Sequence, residues 1–444
     1  MLIPKKGEER TLGYFSATLI IIAAMMGTGI FTLTGFVIKY LPDPSLMISA
    51  WIMVGFISLC GALSYAEIAS VFHENGGEYL FLSKLVHPSL GFMSAWVSFI
   101  VGFSAPCAAA ATAFGAYTAT ITGFNSNIPS ALLIVVFFSV IHIIGVRMGG
   151  YIQNALTLLK VILVILFLIL GSAFFAGNHA FVFSLPKDSH NIFNPDFWTS
   201  LLLISYAYAG WNTAVYISGE IKNPARNIPL ALISGTLVVS ILYVAINYIY
   251  TQTLSFTEMD GVLEIGFTVM RKLYGNSIGN YFSAGIALAL ASMISALIMA
   301  GPRLYMKIGS DFHVFKSMSI KSSQNTPIQA IVLQCIITSL LIVTMNYERL
   351  LYYIGFTLNI FSMITVACVF IIRKKKLATT FQVPFYPFTP LLFICFNAII
   401  VYQTIFQRPI ESAIGFATIF IGYIIYYFAA KHNNSQLSLL NSGL

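Results

Sequence analysis

The chain has 444 residues and a net charge of +8, with 58% hydrophobic, 14% aromatic and only 9% charged residues. This composition excludes a soluble globular enzyme and a disordered regulator, because no polar stretch is long enough for a separate soluble domain; it defines an all-α polytopic membrane protein. The basic residues are dispersed with no aromatic-interleaved basic face, so they act as topology signals and no nucleic-acid partner is expected.

A crossing helix needs about 20 apolar residues. Twelve transmembrane helices are predicted, at about 13–38, 46–71, 90–122, 129–146, 151–176, 197–218, 229–252, 278–304, 327–346, 350–372, 387–406 and 411–430. Met1 to Arg10 is polar and basic without a cleavage-site pattern, and reads as a cytoplasmic lead-in. With both termini cytoplasmic, the inner segments hold most basic residues, including Lys5, Lys6, Lys84, Lys222, Arg226 and Lys321. The outer loops hold only Lys39, Lys187, Arg271, Lys272, Arg349 and Arg408, as the positive-inside rule requires. Arg373-Lys374-Lys375-Lys376 reads as a stop-transfer run, with contact to anionic membrane lipid as the second reading.

The first span contains Gly27-Thr28-Gly29-Ile30-Phe31 near its middle. Glycines there let the backbone unwind, and unwound backbone at membrane depth survives only where it is buried in protein or lines a cavity. In the third span, Trp96 and the run Ala105 to Ala113 read as packing surface. Cys60, Cys107, Cys335, Cys368 and Cys395 all fall in spans, with no metal or redox spacing, and read as free thiols. Lys160 is the one electrostatic anomaly. It sits in the fifth span about ten residues from the cytoplasmic end, roughly 15 Å deep, where snorkelling is difficult and acceptor partners are needed.

The sixth span repeats the interruption at Ala207-Tyr208-Ala209-Gly210-Trp211-Asn212. Breaks in spans 1 and 6 make residues 11–176 and 197–373 two equivalent five-helix halves, a 5+5 inverted repeat of the leucine-transporter type, followed by helices at 387–430 and a short cytoplasmic tail at 431–444. The whole of 1–430 is one transporter domain. The half-helix after Gly29 would aim free N–H groups at an anion, and the half-helices ending near Met25 and Ala207 would aim free C=O groups at a cation. Adjacent anion and cation receptors suit a zwitterion such as an α-amino acid. Residues 254–276 are expected to form an external lid. There is no HExxH, no Ser/His/Asp set and no Walker loop, so no enzyme, cofactor or metal is expected and transport is secondary.

Gly27-Thr28-Gly29-Ile30-Phe31 resembles the helix 1 signature of the amino acid–polyamine–organocation superfamily. Ala62-Leu63-Ser64-Tyr65-Ala66-Glu67 with Gly76-Gly77-Glu78-Tyr79, the sixth-span motif with Gly219-Glu220 and Asn223-Pro224-Ala225-Arg226-Asn227-Ile228-Pro229, and Gly301-Pro302-Arg303 at the end of helix 8 resemble its bacterial L-type amino acid transporters. The resemblance covers about residues 11 to 375 and implies a multi-pass protein of the bacterial inner (plasma) membrane. It implies that Gly27, Thr28, Gly29 and Ile30 hold the substrate carboxylate, that backbone around Met25, Tyr206, Ala207, Ala209 and Gly210 holds the amino group, and that Tyr206 is an aromatic gate. It also implies that Lys160 stands where sodium-dependent relatives bind sodium, bridging helices 1 and 8 with Ser292 and Ser295 as partners, or that it titrates during the cycle. Glu67 is expected to be a conformational hydrogen-bond partner, His142 a satisfied histidine, and Asn212 a partner of freed backbone. The function implied is sodium-independent amino acid transport, by exchange or coupled to protons. The alternatives are a cation-coupled carrier of another amine such as a polyamine, and an amino acid sensor, for which a long signalling tail would be expected. The loop from Thr122 to Ser130 has no cysteine, so no disulfide-linked subunit is expected.

Overall fold

The computed structural model describes residues 10, 12–123, 127–144, 146–175, 194–320, 322 and 326–442. Lys5, Lys6, Lys187, Lys321, the centre of the 122–130 loop, position 176 and the last two residues of the tail lie outside the described residues. Among those described there is no β-strand, and a single isolated bridge joins Leu12 to Ile221.

The first span is three helices: α1 (Tyr14–Met25), α2 (Thr28–Thr32) and α3 (Thr34–Val37). The break falls at Met26-Gly27, where Gly27 leaves helical geometry at φ −107, ψ −145. The second span is one long helix, α4 (Pro44–Ala69), started by Pro44 and capped by Asp43, whose carboxylate accepts from the N–H groups of Ser45 and Leu46. A loop helix, α5 (Gly77–Leu85), leads to the third span. That span runs as α6 (Pro88–Val97), a π-helical stretch at Ser98–Ser104, and α7 (Ala105–Thr122). The π-helical stretch was not expected. It ends beside Pro106, which has no N–H to return to the carbonyl of Gly102, so the preceding turn widens.

α8 (Asn127–Ile144) and α9 (Val146–Phe175) follow as the fourth and fifth spans. The sixth span is broken as expected, into α10 (Pro195–Ala207) and α11 (Thr213–Tyr216), with Gly210 at φ +105 in the gap, a conformation open to glycine and strained for other residues. α12 (Pro224–Thr253) follows. The segment expected to form a lid folds as α13 (Phe256–Met259) and α14 (Ile265–Tyr274), fastened by a capping box between Ser255 and Glu258 and an ion pair from Glu258 to Lys272 at 2.7 Å. Lys272 and Ser255 hold the Glu258 carboxyl down at about 2, so this tie is present above the ordinary carboxylate range and is lost only in strong acid.

α15 (Asn276–Asp311) runs past the predicted end at 304, through Pro302. The Gly301-Pro302 pair therefore lies inside helix 8 and does not terminate it. α16 (Ile328–Thr344), α17 (Tyr347–Lys374), α18 (Phe388–Gln407) and α19 (Pro409–Ser442) finish the chain. The expected tail is a continuation of α19. Among the described residues nine helices are long and apolar enough to cross a bilayer. The predicted spans that fall short are the two broken ones and α16, which has 17 residues.

Packing brings helices distant in sequence together. α12 lies along α4 and α1, and α15 lies along α7 and α9. The Ala105–Ala113 run is buried apart from Thr112 and lets α7 and α15 approach closely, while Trp96 donates its indole N–H to Thr418 O on α19 at 3.1 Å, so both serve as packing surface. Arg373 turns inward from its basic run, whose Lys374, Lys375 and Lys376 are exposed: it pairs at 2.6 Å with fully buried Glu67, which also accepts the N–H of Val383 at 2.7 Å. A buried carboxylate keeps its charge only with such partners, and Glu67 thereby ties α4 to α17.

Candidate functional site

The two breaks touch. A Cβ built on Gly29 would stand 2.6 Å from both Cα and Cβ of Ala207, and one on Gly210 would stand 3.0 Å from the carbonyl of Ala24. Only hydrogen at these positions permits the approach. On Gly27 a Cβ would meet the Met293 thioether of α15 at 2.7 Å. Met25, Gly27, Thr28, Gly29, Ile30, Tyr206 and Ala207 are all buried, whereas Ala209 and Gly210 are partly open.

Breaking a helix releases carbonyls and N–H groups that need new partners. Gly27 turns its N–H back to Met25 O at 2.7 Å instead of to Ala23 O. The freed Ala23 carbonyl is taken by Lys160, whose ammonium donates to it at 2.8 Å while the side chain is 2% exposed. Tyr243 of α12 points its hydroxyl at both of the other ends, 2.5 Å from Met25 O and 3.1 Å from Ala207 O. Tyr250, two turns on, donates to Ile30 O at 3.1 Å, and Tyr117 of α7 donates to Phe31 O at 2.5 Å. The first N–H groups of α2 lie at the opposite pole of the same junction. They have no intrahelical acceptor, and the preceding Gly27 offers no capping side chain. Positive and negative helix ends thus lie side by side.

Tyr206 lies with its hydroxyl 2.7 Å from Thr28 Oγ1, joining the last turn of α10 to the first turn of α2. One turn on, Thr32 bonds the hydroxyl of Tyr347 from α17. The expected bridge from Lys160 to helix 8 is made differently. Ser295 pairs with His142 Nε2 at 3.0 Å, and Ser292 lies 3.5 Å from Thr157. The ammonium reaches the freed carbonyl of α1, while the imidazole of α8 engages the helix 8 hydroxyl.

Asn212 corrects another expectation. It donates at 2.9 Å to Glu78 Oε1 and does not serve freed backbone. Glu78 also accepts from Tyr65 at 2.6 Å and from Ser94 at 3.4 Å, and Trp211 packs edge-on to Tyr65 with ring centroids 4.7 Å apart. Burial pushes the Glu78 carboxyl up, against the opposing pull of those three donors. Sequence reasoning missed Tyr243 and Glu78 as working residues. The available signals were two tyrosines seven apart on one face of α12, and a carboxylate following the paired glycines 76 and 77.

Two discontinuous helices whose unpaired ends converge, inside a bundle of apolar helices, define a membrane carrier for a small charged solute. The sequence matches the family described as Amino acid permease over residues 12–430, and the chain belongs to that family. Its relatives include the serine/threonine exchanger SteT of Bacillus subtilis, 27% identical over 97% of this chain and 99% of the relative. The large neutral amino acids transporter small subunit 2 of Homo sapiens is 25% identical over 94% and 80%, and the b(0,+)-type amino acid transporter 1 of Mus musculus 26% identical over 95% and 88%. The protein is thus an integral multi-pass amino acid transporter.

Proposed function

We propose that this permease exchanges α-amino acids by alternating access, without sodium, and that the junction of the two breaks is its substrate site. Gly27, Thr28, Gly29 and Ile30 receive the carboxylate on the N-terminal N–H groups of α2. The carbonyls of Met25 and Ala207, with the backbone of Tyr206, Ala209 and Gly210, receive the ammonium. The observation that carries this reading is the contact of Gly29 with Ala207, which sets helix ends of opposite polarity side by side. Tyr243 then acts as a stand-in donor, giving its proton to carbonyls that a substrate ammonium would claim.

The twelve-span, 5+5 topology belongs to the same proposal. It is supported by the pairing of α4 with α12 and of α7 with α15, equivalent members of the two halves. Cytoplasmic termini and a bacterial inner membrane follow from the charge asymmetry and the resemblance. Lys160 replaces the coupling cation by holding Ala23 O, and exchange is favoured over proton symport because one of the relatives is itself named an exchanger.

Counterflow of labelled amino acid in proteoliposomes tests the mode. Equal rates in sodium and choline buffers, unaffected by a pH gradient, are expected; sodium-stimulated uptake would contradict the assignment. Tyr206 supplies a second test as the gate. Tyr206→Phe removes one hydroxyl contact with Thr28, worth about 1 kcal/mol, and should keep most transport, whereas Tyr206→Ala removes the ring and should lose it. Equal damage from both would make the phenol a polar ligand and end the gate assignment.

A further inference from the structure

Beyond Arg373 the chain leaves the bundle and turns outward. α17 ends in a Schellman turn, with the Leu377 N–H on Ile372 O at 3.1 Å, the Lys376 N–H on Arg373 O at 3.2 Å, and Lys376 itself at φ +50. Lys374, Lys375 and Lys376 therefore fan around one helix end, and all three are exposed. Farther along, Thr380 donates to Ala225 O at 3.3 Å, which sets this strap against the start of α12, where Lys222 and Arg226 are exposed as well. None of these five cations pairs with a carboxylate among the described residues, and Glu67 is already held by Arg373.

The same strap presents aromatic surface. Phe385 is 83% exposed, and Phe388, where α18 begins, is 74% exposed. Phe385 holds a left-handed backbone at φ +54, which a bulky side chain adopts only at a cost. The turn that keeps it there is fixed: Phe385 O accepts the Phe388 N–H at 2.8 Å, and Thr389 Oγ1 donates to Pro384 O at 2.6 Å. Because the strap joins α17 to α18, two helices long and apolar enough to cross a bilayer, it lies at the membrane–water boundary. A stop-transfer signal needs the charges alone; rings held outward at this depth have acyl chains to enter.

We infer that the strap from Lys374 to Phe388, with Lys222 and Arg226 beside it, is a binding site for an anionic phospholipid. The ammonium and guanidinium groups meet the headgroup phosphate, while Phe385 and Phe388 lie against the acyl chains. Attraction to an anionic headgroup grows with each cation near the surface, whereas a zwitterionic headgroup carries its own positive charge and gains little. Free phosphate offers the rings nothing. The inference uses the placement of the chain in a membrane and no part of the substrate reading.

Phe385→Trp puts a fluorophore into the site, read against the signal of the 4 native tryptophans in the wild type. The variant is reconstituted in phosphatidylcholine vesicles that contain a small fixed share of either phosphatidylglycerol or phosphatidylcholine with brominated acyl chains. Bromine quenches an indole on contact, so quenching reports which lipid is enriched at the strap. The brominated phosphatidylglycerol should quench about threefold more strongly, and the contrast should shrink as salt is raised. Adding Lys374→Gln, Lys375→Gln and Lys376→Gln should bring the two lipids to parity; should that protein fail to insert, the lipid contrast and its salt dependence decide alone. Vesicles carry the lipid in both leaflets, so the outcome does not hang on which side the termini face. Equal quenching by the two lipids, a contrast that survives loss of the three lysines, or no quenching by either would overturn the site. Inorganic phosphate that abolishes the contrast at unchanged ionic strength would assign the cations to a free anion and overturn the lipid.

Discussion

Lys160→Ala should lower exchange by at least about tenfold at every sodium concentration, with the protein still inserted in the membrane. The mechanism is local. Gly27 withdraws its N–H from Ala23 O and gives it to Met25 O, so the Ala23 carbonyl depends on the ammonium at 2.8 Å. An acceptor left unpaired in a buried site costs ~1–3 kcal/mol, concentrated on the last turn of α1, which must hold its place against Gly210 in the break of the sixth span. Sodium should not restore the variant. Ser295 is held by His142, so the helix 8 oxygen expected to complete a cation site is already engaged. Normal exchange by Lys160→Ala, measured against membrane-inserted protein, would remove the lysine from the mechanism.

Gly29→Val should abolish exchange and lower thermal stability as well. Crowding of the proposed carboxylate site by a side chain is only part of the cause. In the structure any Cβ at this position lies 2.6 Å from the Ala207 backbone, so the two breaks are forced apart before substrate arrives. Overpacking of this kind costs about 1–3 kcal/mol, and β-branching stiffens the turn further. Even Gly29→Ala should be impaired, and Ala207→Gly should not rescue it, because Ala207 Cα stands as close as Cβ. Full rescue by Ala207→Gly would show that the approach of the two backbones is looser than described.

The parts of this architecture that were legible in the sequence are those written locally. Apolar runs mark spans, Gly27, Gly29 and Gly210 mark breaks, and Lys160 stands out because an ammonium in an apolar run is costly. The contacts that complete the site join residues far apart in the chain, and no spacing rule reveals them. Tyr243 serving Met25 and Ala207, Glu78 receiving Asn212, and Glu67 pairing with Arg373 are of this kind. The π-helical stretch before Pro106 and the passage of α15 through Pro302 show the opposite outcomes of one local signal. In the first the turn widens, and in the second the helix continues, with Gly301 packed against Gln334 of the neighbouring α16. Proline alone does not say which.

The central claim is that two helix breaks read the α-carboxylate and the α-ammonium of one substrate. Its most direct measurement is inhibition of labelled amino acid exchange by three forms of one transported amino acid: the free zwitterion, its α-carboxamide, and its N-acetyl derivative. All three keep the side chain, and each derivative removes one of the two charges. The account predicts competition by the zwitterion alone, with either derivative weaker by about a hundredfold, since a charge-assisted hydrogen bond to a buried receptor contributes roughly 1.5–3 kcal/mol. A carboxamide or N-acetyl derivative that competes within a few-fold of the free amino acid would contradict it.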